Sequence, residues 1–208
     1  LFRGSLQRIP AADIASAPIY QLFYNRLVGE KPRVDLYYTS NPWFQSLADK
    51  TWVINGVSYP TTLNQTIAQA KQLLDPLHYK NLPTVIGHGD DHNGNKFYMN
   101  GQFKFFDPAF AGRQPALLSF VKATAHNTFV HPDWLYTPER LTQNGLELNW
   151  EIGDDKVTVN HNWVMSADRL QELQLQEELI WKPLIAELRQ RNWLPDDWKT
   201  YLQAALFC

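Results

Sequence analysis

The spacing of apolar residues changes near residue 83, and the predicted elements change with it. Before that point the apolar positions recur at helical intervals. One such helix spans 19–28 and ends at Gly29. A second begins at Thr61 or Thr62 as N-cap and buries a stripe of five residues, Leu63, Ile67, Ala70, Leu74 and Leu77. Five prolines in the first sixty residues indicate short helices separated by loops.

After residue 83 the pattern predicts short strands. Residues 84–86 read as a short buried strand, and 96–99 and 102–106 read as two strands joined by Asn100-Gly101. This dipeptide is a strong hairpin signal because both turn positions favour a positive φ. Alternation returns on either side of residues 153–155 and predicts a second hairpin, 145–152 with 156–160.

The remaining segments predict helices. Residues 117–129 carry little charge and indicate a buried helix. Asp168 is the predicted N-cap of a long amphipathic helix that runs to Arg191, with Pro183 as a kink. Asp196-Asp197 is expected to begin a last helix. The predicted fold class is therefore α+β, mainly helical, with small β-hairpins inserted.

Composition narrows the possible partners. The chain has 208 residues, 44% apolar and 19% charged, which is typical of one globular domain. A net charge of −2 without a Lys/Arg cluster argues against a nucleic-acid partner. No apolar stretch reaches the roughly 18 residues of a membrane span, so no membrane partner is expected. The single cysteine, Cys208, permits no intrachain disulfide and favours a cytoplasmic location.

The chemistry is concentrated in one run, His88-Gly89-Asp90-Asp91-His92-Asn93-Gly94-Asn95, followed by Asp107. The hairpin between Asn95 and Asp107 should bring these two residues together, because antiparallel strands leave a two-residue turn side by side. A carboxylate, an amide and a second carboxylate at this spacing occur in enzymes that transfer the terminal phosphate of ATP. There one carboxylate orients a hydroxyl and accepts its proton, while the other two groups hold magnesium.

The run resembles the catalytic loop of the aminoglycoside phosphotransferase and choline kinase-like superfamily, relatives of the protein kinases. That loop reads approximately His-Gly-Asp-Leu-His-Pro-Gly-Asn, and a later Ile-Asp-Trp supplies a metal ligand; here Phe106-Asp107-Pro108 stands in its place. The resemblance implies that Asp90 is the catalytic base and that His88 braces the loop. It also implies that Asn95 and Asp107 hold Mg²⁺ on ATP and that His92 has a supporting role.

The departures from the family loop leave these groups in place. Asp91 replaces the family's apolar residue and Asn93 replaces its proline. Residues 112–115 lack the family's Gly-Asp-Pro. Before the run there is no Gly-rich loop and no lysine in a plausible strand, and residues 1–6 resemble the hinge between two lobes. The resemblance thus implies that 1–208 is a C-terminal lobe of a protein kinase-like fold. The N-terminal nucleotide-binding lobe is expected outside this chain, which alone is expected to be inactive.

The phosphate acceptor is expected to be a hydroxyl-bearing small molecule, and its identity does not follow from the sequence. Six residues are candidate acceptor contacts: Asp91, His92, His126, His131, Asp133 and Trp134. For the last four, the pattern favours the plainer interpretation of a helix end and a surface loop.

Two other functions remain open. The same histidines and aspartates could assemble a zinc or two-metal site of a hydrolase, although this leaves Asn95 and the hairpin spacing unexplained. A catalytically inactive kinase-like binding module is the second alternative.

Overall fold

The computed structural model describes residues 2–29, 32, 41–129, 137, 139–143 and 145–208. The fold is α+β, with about 43% helix and 22% strand. The predicted fold class is confirmed at this level.

The described strands form three sheets. They are β1 (Gln7–Pro10), β2 (Thr51–Ile54), β3 (Val57–Tyr59), β4 (Asn81–Gly87), β5 (Lys96–Met99), β6 (Gln102–Phe105), β7 (Gly112–Pro115), β8 (Leu148–Ile152) and β9 (Lys156–His161). One sheet has the order β1-β4-β7 and a second has the order β3-β2-β9-β8. The pair β5-β6 forms the third sheet, a separate hairpin.

The described α-helices are short. They are α1 (Tyr24–Val28), α2 (Pro42–Ala48), α3 (Leu63–Leu73), α4 (Val121–Thr124), α5 (Arg140–Gln143), α6 (Ala167–Gln176), α7 (Lys182–Gln190) and α8 (Trp198–Phe207). Three 3₁₀ turns and two π-helical turns accompany them: Ala11–Ile14, Pro18–Leu22, Asn93–Asn95, Ala125–Phe129 and Glu177–Trp181. No helix among the described residues is long and apolar enough to cross a membrane.

The predicted helix over 19–28 is wrong in detail. A 3₁₀ turn covers Pro18–Leu22, and α1 begins only at Tyr24. Between them Phe23 has φ −127° and ψ −93°, which no helix accommodates. Phe23 is only 1% exposed, so the residue at which the helix breaks is itself packed in the core.

Helix α3 confirms most of the stripe predicted from Thr62. The Thr62 side chain accepts the Gln65 N–H, and the Gln65 side chain accepts the Thr62 N–H, which completes a capping box. The prediction that Leu77 belongs to this buried stripe is wrong, because the helix ends at Leu73 and Leu77 is 62% exposed. Its N–H is instead held by the Asp75 carboxylate.

The long C-terminal helix is also different from the prediction. Ser166, rather than Asp168, is the N-cap, with its side chain accepting the Arg169 N–H. The α-helical pattern is interrupted by the π-turn Glu177–Trp181, which directly precedes α7. Pro183 lies in the first turn of α7, directly after this π-turn, so the α-helical pattern is interrupted next to the predicted kink.

The predicted buried helix over 117–129 is shorter and changes type. Residues 116–120 form turns, and only α4 is α-helical before the π-turn Ala125–Phe129. The segment is buried as expected, with Leu118 at 0% and Val121 at 2% exposure.

The four-stranded sheet was only half predicted. The β8-β9 hairpin is confirmed, whereas β2 and β3 lie where only short helices and loops were expected. Strand β2 pairs in parallel with β9, a long-range contact that no local pattern indicates. A cavity of about 290 Å³ on this sheet is lined by apolar side chains, among them Trp43, Trp52 and Trp150.

The main core joins the beginning of the chain to its last helices. Its fully buried members include Ile19, Leu74, Leu118, Leu184 and Leu188. Strand β4 contributes Val85 to this core, at 1% exposure. Ile86 of the same strand is 64% exposed, so the expectation that all of 84–86 is buried is wrong. The candidate site begins where β4 ends.

Candidate active site

The turn after β4 requires a glycine at position 89. Gly89 has φ +88°, a conformation that L-residues with a side chain rarely adopt. A Cβ at this position would lie 2.6 Å from the Phe110 carbonyl oxygen. The segment that carries Asp90 is therefore packed directly against the segment that follows Asp107.

Asn95 closes the loop that begins at Asp90. Its side-chain Nδ2 donates to the Asp90 carbonyl oxygen at 2.8 Å, and its backbone N–H donates to the His92 carbonyl oxygen at 2.9 Å. Asn95 is 7% exposed. The amide oxygen Oδ1 is an acceptor and is the atom of this side chain that can coordinate a cation.

The β5-β6 hairpin confirms the predicted register. Lys96 pairs with Phe105 and Met99 with Gln102, and Asn100 and Gly101 both have positive φ, at 52° and 78°. These values are those of a type I′ turn.

The ends of the hairpin meet as expected. The Phe106 N–H donates to the Asn95 carbonyl oxygen at 3.1 Å, so Asp107 directly follows a residue bonded to Asn95. Asp107 is exposed and has φ +55°. Aspartate tolerates this left-handed conformation better than most residues.

His88 ties the turn to the far arm of the hairpin. Its Nε2 lies 2.9 Å from the Phe106 carbonyl oxygen. A carbonyl only accepts, so Nε2 carries a proton and donates this bond. Nδ1 of His88 is buried and has no hydrogen-bond partner among the described residues. The contact joins the turn that carries Asp90, two residues after His88, to the segment that carries Asp107, directly after Phe106.

His92 and His126 stack on one another beside Asp90. Their ring centroids are 4.6 Å apart with 21° between the planes. His92 Nε2 lies 3.9 Å from Asp90 Oδ2. Burial, followed by the charge of Lys122 and the proximity of His92, lowers the pKa of His126 to about 4. His126 is thus neutral at physiological pH.

The π-turn Ala125–Phe129 supplies a second contact with the loop, and sequence reasoning missed it. Asn127 Oδ1 accepts the Asn93 N–H at 2.7 Å. From α6, Glu172 Oε2 lies 3.5 Å from Asn93 Nδ2. π-Turns recur at functional sites, but they have no sequence signature that would have indicated Asn127 or Glu172.

Asp91 is partly buried rather than fully exposed to solvent. Burial raises the pKa of its carboxyl, and the charges of Lys96 and His88 partly offset the effect. Its Oδ1 is buried, and no residue in the described ranges forms a hydrogen bond with it. A desolvated carboxyl beside Asp90 is a candidate functional group.

The candidate acceptor residues are only partly described. His92, Asp91 and His126 lie together around Asp90. His131, Asp133 and Trp134 lie outside the described residues.

The donor groups of Asn95 and Asp107 are of the type that magnesium prefers. Within the described ranges, no three His, Cys, Asp or Glu side chains converge on a point that could hold a metal. The Asn95 amide oxygen and the Asp107 carboxylate are hard oxygen donors. Mg²⁺ commonly takes one or two such protein ligands together with substrate phosphates.

Comparison with protein-family models, with curated proteins and with solved structures finds no match to this chain.

Proposed function

We propose that this chain carries the catalytic and metal-binding half of an ATP- and Mg²⁺-dependent phosphotransferase, which acts on a hydroxyl of a small molecule. In this proposal the chain is the C-terminal lobe of a protein kinase-like fold. The hydrogen bond from Asn95 Nδ2 to the Asp90 carbonyl, at 2.8 Å, carries the proposal, because it joins the proposed base to the proposed metal ligand.

Two further contacts support the same assignment. The Phe106 N–H bonds to the Asn95 carbonyl, and His88 Nε2 bonds to the Phe106 carbonyl. Asp107 follows Phe106 directly, so these bonds bring the segments that carry the two proposed ligands together. Such rigid placement suits phosphoryl transfer, where catalysis is mostly positioning and charge neutralisation.

Each side chain has one role. Asp90 orients the acceptor hydroxyl and takes its proton as the oxygen attacks the γ-phosphorus and the bond to the ADP oxygen breaks. Asn95 and Asp107 hold Mg²⁺, which when bound neutralises the phosphate charge. His88 keeps the Asp90 turn and the hairpin in register.

The test uses the complete protein, including any polypeptide encoded before Leu1, with ATP, Mg²⁺ and a panel of hydroxyl-bearing metabolites. Asp90→Asn should reduce transfer by about 10²- to 10⁴-fold, the usual contribution of a general base. Asp107→Ala should do the same through lost metal binding. Asp155→Asn, in the exposed β8-β9 turn, is the control and should retain activity.

Wild-type turnover in Asp90→Asn contradicts the proposal. Nucleotide binding without transfer to any acceptor favours an inactive binding module. Tightly held zinc in the purified protein favours the hydrolase.

A further inference from the structure

A backbone hydrogen bond assigns different roles to the two ring nitrogens of His92. His92 is the N-cap of the 3₁₀ turn Asn93–Asn95, and its Nδ1 accepts the Gly94 N–H at 3.0 Å. A backbone N–H only donates, so Nδ1 is the acceptor of this bond and Nε2 is the nitrogen that can donate.

That Nε2–H lies next to the carboxylate of Asp90. The distance from Nε2 to Asp90 Oδ2 is 3.9 Å, and the two side chains are 20% and 15% exposed. Contacts of this length at catalytic groups commonly shorten to hydrogen bonds when substrate binds. The other carboxylate oxygen, Oδ1, is buried and has no hydrogen-bond partner in the described part of the chain.

The His92 ring is confined on two sides. His126 stacks on one face at 4.6 Å. A Cβ on Gly94 would lie 2.7 Å from His92 Cε1, so the turn itself leaves no space beside the ring. Asn127 Oδ1 holds the Asn93 N–H at 2.7 Å and so fixes the turn that the ring caps. A confined ring restricts the direction of its N–H.

We propose that His92 is a positioning residue for Asp90. Its Nε2–H orients the Asp90 carboxylate through Oδ2, so that the carboxylate is held ready to take the proton of the acceptor hydroxyl. This inference rests on the proposed phosphotransferase function.

Two substitutions separate this role from the capping role. In His92→Asn, Oδ1 stands where Nδ1 stood and can still accept the Gly94 N–H, but no donor reaches Asp90. In His92→Gln, Nε2 stands near the imidazole Nε2 and can still face Asp90, but the Gly94 N–H loses its acceptor. The variants are made in the complete protein, and kcat, KM for ATP and the unfolding midpoint are measured for each.

For His92→Asn we expect kcat to fall about 10- to 100-fold, as for loss of a hydrogen bond to a charged group. KM for ATP and the unfolding midpoint should stay close to wild type. For His92→Gln we expect a lower midpoint with kcat within a few-fold of wild type.

The reverse pattern overturns the inference: a His92→Asn enzyme with wild-type kcat shows that His92 only caps the turn. This outcome leaves the proposed function intact, provided that the wild type transfers phosphate and Asp90→Asn does not. A wild-type protein that transfers no phosphate overturns both.

Discussion

Replacing Gly89 with alanine tests whether the candidate site depends on close packing of its two segments. The new Cβ would lie 2.6 Å from the Phe110 carbonyl oxygen and 2.8 Å from Phe110 Cβ. Non-bonded atoms do not approach this closely, so either the turn before Asp90 or the backbone at Phe110 must move. Both movements separate Asp90 from the segment that carries Asp107.

Gly56 provides a matched control. It lies in the β2-β3 turn with φ +80°, close to the +88° of Gly89, but a Cβ there would have nothing within 4 Å. An alanine held in the left-handed region costs about 1–2 kcal/mol at either position. Only Gly89→Ala adds the cost of overpacking, about 1–3 kcal/mol. We expect Gly89→Ala to destabilise by about 2–5 kcal/mol and Gly56→Ala by about 1–2 kcal/mol.

Urea unfolding followed by tryptophan fluorescence measures both values, since the chain has eight tryptophans. In the complete protein, Gly89→Ala should also lower phosphate transfer, whereas Gly56→Ala should not. Equal destabilisation by the two variants would refute the reasoning, because the close approach of Phe110 is the feature that distinguishes them.

Three further predictions concern half-buried side chains. His126→Asn should flatten the acid dependence of stability. The folded-state pKa of His126 lies below the usual 6.5. Its contribution to the free energy of unfolding is therefore complete above pH 6.5 and is lost as the pH falls towards about 4. We expect the wild type to lose about 2 kcal/mol of stability relative to the variant over this range, a value reduced for the partial exposure of the ring. Asp91→Asn should stabilise the protein at pH 7, because the pKa of this carboxyl is raised by burial, and the gain should disappear below the ordinary aspartate pKa. Trp181→Phe should cost about 1 kcal/mol, because the indole N–H loses its 3.0 Å bond to Thr124 Oγ1.

Each of these has a measurement that contradicts it. Parallel pH–stability curves for wild type and His126→Asn would show that burial does not hold the His126 imidazole in its neutral form. A destabilised Asp91→Asn at pH 7 would mean that the carboxylate has a partner in solution. For Trp181→Phe the comparison is Trp43→Phe, at 56% exposure, which should change stability by no more than about 0.5 kcal/mol. Equal losses of stability in the two variants would show that the hydrogen bond of Trp181 does not stabilise the protein.

Local features of the site and fold followed from adjacent residues. Asn100-Gly101 defined a hairpin whose register is as expected, and Thr62 with Gln65 formed the capping box at the start of α3. In both cases the stabilising groups are a few positions apart, so their chemistry is complete within a short segment. The meeting of Asn95 with Phe106 followed from the same hairpin.

The type and extent of the helices could be predicted less well from the sequence. The apolar spacing of 19–28 and of 168–191 is helical, yet Phe23 interrupts the first and the π-turn Glu177–Trp181 interrupts the second. Helical periodicity shows which face is buried but not whether each turn packs best as α, 3₁₀ or π. Tertiary packing overrides the local preference because each turn contributes little by itself.

The sequence by itself determined the short-range chemistry of this protein: the glycine-containing turn, the hairpin, and the spacing of Asp90, Asn95 and Asp107. Only the tertiary structure decided that His126 stacks on His92 and that Asn127 holds the loop. The same is true of the parallel pairing of β2 with β9. These contacts join segments distant in the chain, and they form because the whole core closes around them, which no single stretch of sequence encodes.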